Sequence, residues 1–89
     1  MATSTVQKNA PSLLMISSLD ALVAQQDMIT PFNTSANIPI GTTGITLEAY
    51  ARGIYIGGTT GCLMAVGYGA AFYVAFYTAG QWSNAKKFT

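Results

Sequence analysis

The stretch from Ile54 to Gly80 contains no Asp, Glu, Lys or Arg and lies within the longest uncharged run of the chain. As a single helix rising ~1.5 Å per residue it would be about 40 Å long, against roughly 30 Å for the hydrocarbon core of a bilayer. The stretch therefore predicts a membrane-spanning helix. The residues before and after this stretch are interpreted as segments that lead into the helix or follow it.

Small residues recur at every fourth position through the same region: Gly53, Gly57, Gly61, Ala65 and Gly69. Gly in a helix interior costs about 1 kcal/mol relative to Ala in water, so such a row needs a compensating interaction. Helices in lipid associate through small-xxx-small faces because their backbones can approach closely. The row therefore predicts a helix-packing interface, although Gly and Ala are also simply common in membrane helices.

Aromatic residues lie near both ends of the predicted helix, with Tyr50 and Tyr55 at its start and Tyr77 and Trp82 at its end. Tyr and Trp are enriched at the two membrane–water interfaces of a spanning helix. These four residues are therefore expected to form interfacial belts or, alternatively, to pack in a contact between subunits.

The amino-acid composition limits which folds the chain can adopt and which partners it can bind. Charged residues make up 8% of the 89 residues and hydrophobic residues 51%, whereas an ordinary soluble domain is about 25% charged. A long helix leaves too little chain for a separate globular core, so the fold is expected to depend on a homo-oligomer or on lipid. The net charge of +1 provides no basic face for a nucleic-acid duplex. Nucleic acid is thus expected only indirectly, as cargo.

The predicted organisation is a single all-α, hairpin-like domain. A short amphipathic helix is predicted over about 11–29, where apolar residues recur at helical spacing. The long Gly/Ala-rich helix is predicted over about 47–80, with Thr46 as its cap and Glu48 in its first turn. The segments in order are an N-terminal arm (1–10), helix 1 (11–29), a polar connection (30–45), the long helix region (46–84) and a basic tail (85–89).

Groups that carry catalysis are scarce. The chain has no His, one Cys and three carboxylates, while proton transfer, nucleophilic attack and metal binding depend on such side chains. The sequence therefore predicts neither an enzyme nor a metal site, and no cofactor. Bound lipid is compatible with the composition, and Cys62 is expected to be buried and inert.

The arrangement of residues 11–89 resembles the conjugation-type pilins of bacterial type IV secretion and archaeal DNA-exchange systems. Its end, from Ala85 to Thr89, resembles the basic C-terminus of filamentous virus coat proteins. Two departures are visible: the first helix is more polar than that of a pilin hairpin, and the N-terminal part lacks the acidic face of phage coats. The resemblance implies a structural subunit of a membrane-derived helical assembly, a pilus or a virion coat, that self-associates through its small-residue face and lipid.

Two alternatives remain open at this stage. One is a small single-span accessory subunit of a larger respiratory or photosynthetic membrane complex. The other is a small pore-forming peptide, a class that usually carries more basic residues. Each interpretation expects the chain in a membrane, or in an extracellular filament assembled from membrane-resident subunits.

The C-terminal charges predict an orientation. Arg52 precedes the long helix, whereas Lys86 and Lys87 follow it, and the positive-inside rule then places the C-terminus in the cytoplasm. In a filament the same two lysines would line a lumen.

Overall fold

The computed structural model describes residues 13–24 and 26–89, which form a small β-structure with one short helix. The helix α1 spans Asp20–Val23. The strands are β1 (Leu14–Ile16), β2 (Met28–Thr34), β3 (Ile38–Pro39), β4 (Thr46–Leu47), β5 (Arg52–Gly57), β6 (Gly61–Val66), β7 (Phe72–Thr78) and β8 (Gln81–Phe88).

Six of the strands form one mixed sheet in the order β1-β2-β5-β6-β7-β8. β1 and β2 are parallel and lie on either side of α1 in the chain, whereas every other neighbouring pair is antiparallel. β5 to β8 follow one another as an up-and-down meander. β3 and β4 pair separately, within the segment that connects β2 to β5.

The meander follows from local sequence chemistry. Aromatic and β-branched residues dominate β7, and these residue types favour strands. The turn between β7 and β8 consists of Ala79 and Gly80, both with positive φ (51° and 78°). A two-residue turn of this kind matches the right-handed twist of the strands it joins.

The core lies on one side of the sheet, which we call the inner face. The segment from β2 to β5 and helix α1 cover it. They contribute buried Leu22, Ile40 and Leu47, which pack over Phe32 and Tyr55 from the strands.

The all-α prediction is wrong, because the described residues contain one four-residue helix and eight strands. The range 11–29 holds β1, α1 and the start of β2. The range 30–45 holds the rest of β2 and β3, and the region 46–84 holds β4 to β7 and the first half of β8. The basic tail 85–89 largely belongs to β8, and the arm 1–10 lies outside the described residues.

The membrane-spanning prediction is also wrong. Throughout 13–24 and 26–89, no helix has the length and apolar character needed to cross a bilayer. The pilus, virion coat, single-span accessory subunit and helical pore interpretations all required that helix. The membrane-resident localisation and the orientation inferred from Lys86 and Lys87 depended on it as well.

Candidate functional site

The second side of the large sheet, the outer face, is apolar and has no layer of described residues over it. Its side chains form three rows across the strands, because residues paired in register point to the same side. The rows are Ile29, Ile56, Cys62, Phe76 and Ser83; Pro31, Ile54, Met64, Val74 and Lys86; and Met15, Asn33, Arg52, Val66, Phe72 and Phe88.

Exposure is greatest around the edge of this outer face and smaller at its centre. Val66, Phe76 and Phe88 are 52%, 51% and 51% exposed. Met64 and Val74, in the middle row, are half-buried by their neighbours in the sheet. The first two rows are therefore continuously apolar from β2 to β7, unlike the single exposed apolar residues found on most protein surfaces, whereas Asn33 and Arg52 interrupt the third row.

Charge on the outer face lies away from its centre. Arg52 is exposed at the start of β5, beside Asn33 on β2. Lys86 is exposed on the edge strand β8, where it pairs with Val74. The middle of the face, formed by Ile54, Met64 and Val74, is therefore uncharged.

Cys62 lies in the first row of the outer face and is half-buried. The sequence predicted a fully buried thiol inside a helix. In the sheet, its cross-strand neighbours are Ile56 and Phe76, both exposed. The thiol is therefore a natural reporter of whether the outer face is covered.

The row of small residues lies mainly on a β-hairpin. Gly53 pairs with Ala65, and Gly57 pairs with Gly61, across β5 and β6. Gly69 lies in the turn after β6. The four-residue spacing thus arises from two cross-strand pairs on the inner face. The residues predicted to form a helix-packing interface therefore do not lie on a helix. A part for these residues in contacts between copies stays a prediction.

Three of the four predicted interfacial aromatics form one cluster on the inner face. The ring centroid of Trp82 is 6.0 Å from that of Tyr55 and 5.0 Å from that of Tyr77. Tyr50, by contrast, is 73% exposed in the loop before β5. The structure therefore does not separate these residues into two belts. An open depression of about 320 Å³ beside Trp82 reaches Asp20 at the start of α1.

The predicted pair of basic residues is divided between the two faces of β8. Lys86 lies on the outer face, whereas the ammonium group of Lys87 lies 5.7 Å from the centre of the Tyr73 ring on the inner face. A cation over an aromatic ring is a favourable contact. The structure thus gives the two lysines different surroundings.

Glu48 joins the connecting segment to the β6–β7 turn. Its carboxylate accepts a hydrogen bond from the Tyr73 hydroxyl at 2.6 Å and another from the Tyr68 backbone N–H at 2.8 Å. The Tyr73 hydrogen bond is the main cause that lowers the pKa of Glu48 below 4.5. Burial, followed by the bond to Glu48, raises the pKa of Tyr73 to about 12. From the sequence, Glu48 was predicted only to lie in the first turn of a helix.

This contact predicts a loss of stability in acid. Because the folded-state pKa of Glu48 is lowered, its stabilising contribution is present above its unfolded-state pKa and is lost as the pH falls through the folded value. We expect Glu48→Gln to unfold at a lower urea concentration than wild type at pH 7, with the difference shrinking below pH 4.5. Urea titrations of both proteins from pH 7 to pH 3 measure it. A difference that stays constant over that range would contradict the assignment.

No family model, characterised protein or solved structure matches the chain. Within 13–24 and 26–89, no three His, Cys, Asp or Glu side chains come together as metal ligands. The outer face is consequently the feature of this chain with the clearest functional implication. Sequence reasoning missed it because both sides of the central strands are apolar, which hides the two-residue alternation of a strand.

Proposed function

We propose that the protein is a non-catalytic structural domain that works by binding another protein surface through its outer face. The observation that carries the proposal is the continuous apolar surface that the first two rows form from β2 to β7, with Met64 and Val74 near its centre. Binding to a protein is a role that such a face can perform without any reactive side chain.

The sequence pattern supports a covered outer face. A strand that is buried on both sides has a nearly continuous apolar sequence, whereas a strand with one solvent-exposed side alternates apolar and polar residues. β6 and β7 are apolar on both sides, with Leu63 and Ala75 facing inwards and Met64 and Val74 outwards. The described chain covers only the inward set. The outward-facing residues are therefore of the types found in a protein core, but no layer of described residues covers them.

The size of the outer face agrees with an interaction site. Five strands spaced ~4.8 Å apart and about six residues long at ~3.3 Å each give a flat area of about 500 Å². The largest apolar patch on a typical monomer covers about 300–600 Å² and is often a functional surface.

The few reactive side chains of the chain support a binding role over a catalytic one. Cys62 has Ile56 and Phe76 as its cross-strand neighbours, so no base adjoins its thiol in the sheet. Glu48 is engaged by Tyr73 and by backbone N–H groups. A nucleophile needs an adjacent base or a lowered pKa to react at neutral pH.

The test places one charge in the middle of the outer face. Met64→Lys keeps nearly the same side-chain length but brings an ammonium group into any interface formed there. We expect association to weaken at least about thirtyfold, the effect of losing a central interface residue. Thr46→Lys is the matched control, because Thr46 is exposed on β4, in the layer on the opposite side of the molecule.

Association is measured by light scattering on the purified proteins and by affinity purification from the source cells. Circular dichroism spectra establish that both variants keep the wild-type fold. The proposal requires Met64→Lys to lose binding while Thr46→Lys retains it. Equal association of wild type and Met64→Lys in both assays would show that the outer face is not a binding surface.

A further inference from the structure

We propose that the surface covering the outer face is the outer face of a second copy of this chain, so that two sheets stack about a two-fold axis. This inference rests on the proposed function and names its partner. The relevant interface would be isologous, with the same apolar rows contributed by both copies.

Size and shape favour this pairing. Two flat areas of about 500 Å² in contact remove at least about 1,000 Å² from water, which is where specific interfaces begin. Sheets stack about 10 Å apart with their strands inclined by about 30°. An uncharged centre formed by Met64 and Val74 fits a second centre of the same kind without burying a charge.

The sheet edges oppose the alternative of pairing strand to strand. β8, at one edge of the sheet, carries Lys86 and Lys87. A bulge at Asn84, whose φ is 52°, interrupts the pairing of β8 with β7. The other edge, β1, has three residues. Bulges, lysines and short edge strands are features that discourage edge-to-edge association. The faces are therefore better suited to self-association than the edges.

Two charges select the orientation of the copies. Asp27 is exposed directly before β2, whereas Arg52 is exposed at the far end of the neighbouring strand. The register separates the two positions by about 20 Å along the strands. A two-fold axis running across the strands exchanges these ends, bringing Asp27 of each copy towards Arg52 of the other. An axis along the strands leaves them apart, so Asp27 and Arg52 favour the first arrangement, in which the Lys86 side chains of the two copies meet at the solvent-exposed β8 edge.

The experiment combines sedimentation velocity with labelling of the Cys62 thiol by a hydrophilic reagent, on the full chain over a range of protein concentrations. We expect a monomer–dimer equilibrium and slower labelling at higher concentration. Arg52→Glu or Asp27→Lys should each weaken dimerisation about tenfold, and the double charge reversal should return it to within about threefold of wild type. Thr46→Lys again serves as the control.

Three other results would overturn the pairing. A monomer whose Cys62 is freely labelled excludes the pairing of two copies. The proposed function is then retained if Met64→Lys loses binding to a different protein, and it fails if the wild-type chain binds no protein. A dimer whose labelling rate does not change with concentration has formed through another surface. Protection of Cys62 in a monomer at every concentration shows that the chain covers its own outer face, which overturns the proposed function as well.

Discussion

A chain carrying Gly53→Ala is expected to lose about 3 kcal/mol of unfolding free energy, whereas Gly69→Ala should change it by less than about 0.5 kcal/mol. The two glycines belong to the same four-residue row of the sequence. In a packed helix they would be nearly equivalent, so the pair separates the sheet from the helix that the sequence predicted.

The physical reason lies in the space around each Cα. A Cβ at Gly53 would collide with the Met64 carbonyl oxygen and with Ala65, both on the adjacent strand. β5 is held by β2 on one side and β6 on the other, so it cannot move away. A Cβ at Gly69 has no heavy atom within 4 Å, and Gly69 does not have a positive φ.

Urea unfolding followed by circular dichroism measures both values. The experiment also has an internal check, because a destabilised Gly53→Ala protein should keep the wild-type dependence on denaturant if only its stability has changed. Similar stabilities for the two alanine variants would contradict the hairpin pairing of Gly53.

The second large effect is expected from Phe32→Ala, which should cost about 3–5 kcal/mol by leaving a cavity in the core. Phe32 is fully buried on β2. The matched variant is Phe76→Ala, because Phe76 is 51% exposed on the outer face. We expect it to lower the stability of the isolated chain by no more than about 1 kcal/mol while weakening association.

Stability and association therefore have to be measured on the same two proteins, with the unfolding experiments at a dilution where the chain is monomeric. Phe32→Ala should lower the free energy of unfolding, and it should lose association only to the extent that the protein is unfolded. Phe76→Ala should lose association while it remains folded. The reverse pattern would mean that the inner and outer faces have been assigned to the wrong sides.

The uncharged stretch from Ile54 to Gly80 was assigned the wrong secondary structure. It supplies six of the fourteen buried hydrophobic residues, and the described chain before it supplies the other eight. Strand alternation was hidden because Tyr73 and Ala75 face the core while Val74 and Phe76 face outwards, and all four are apolar. Uncharged residues on both sides of a strand and on all sides of a helix give the same linear pattern.

Signals for strands were nevertheless present. β7 consists mainly of aromatic and β-branched residues, which are better strand formers than helix formers. Gly58, Thr59 and Thr60 form one turn, and Ala79 with Gly80 forms another. Lengths of six to eight residues between such turns match ordinary strands.

The outer face could not have been found from sequence alone. Its rows exist only through the register, which places Cys62 between Ile56 and Phe76. The Glu48–Tyr73 contact joins residues 25 positions apart and has no local signature. The expectation of an oligomer came from the shortage of charge, and the proposed pairing retains that part of the reasoning with a sheet in place of a helix.

The alternation along β7 also divides the strand between two kinds of selection. Tyr73 and Ala75 are constrained by the chain's own interior, while Val74 and Phe76, under the proposed function, are constrained by the partner that binds the outer face. Neighbouring positions can therefore diverge at different rates and for different reasons. A lineage could exchange its partner by substitutions at every second residue and inherit the rest of the strand unaltered.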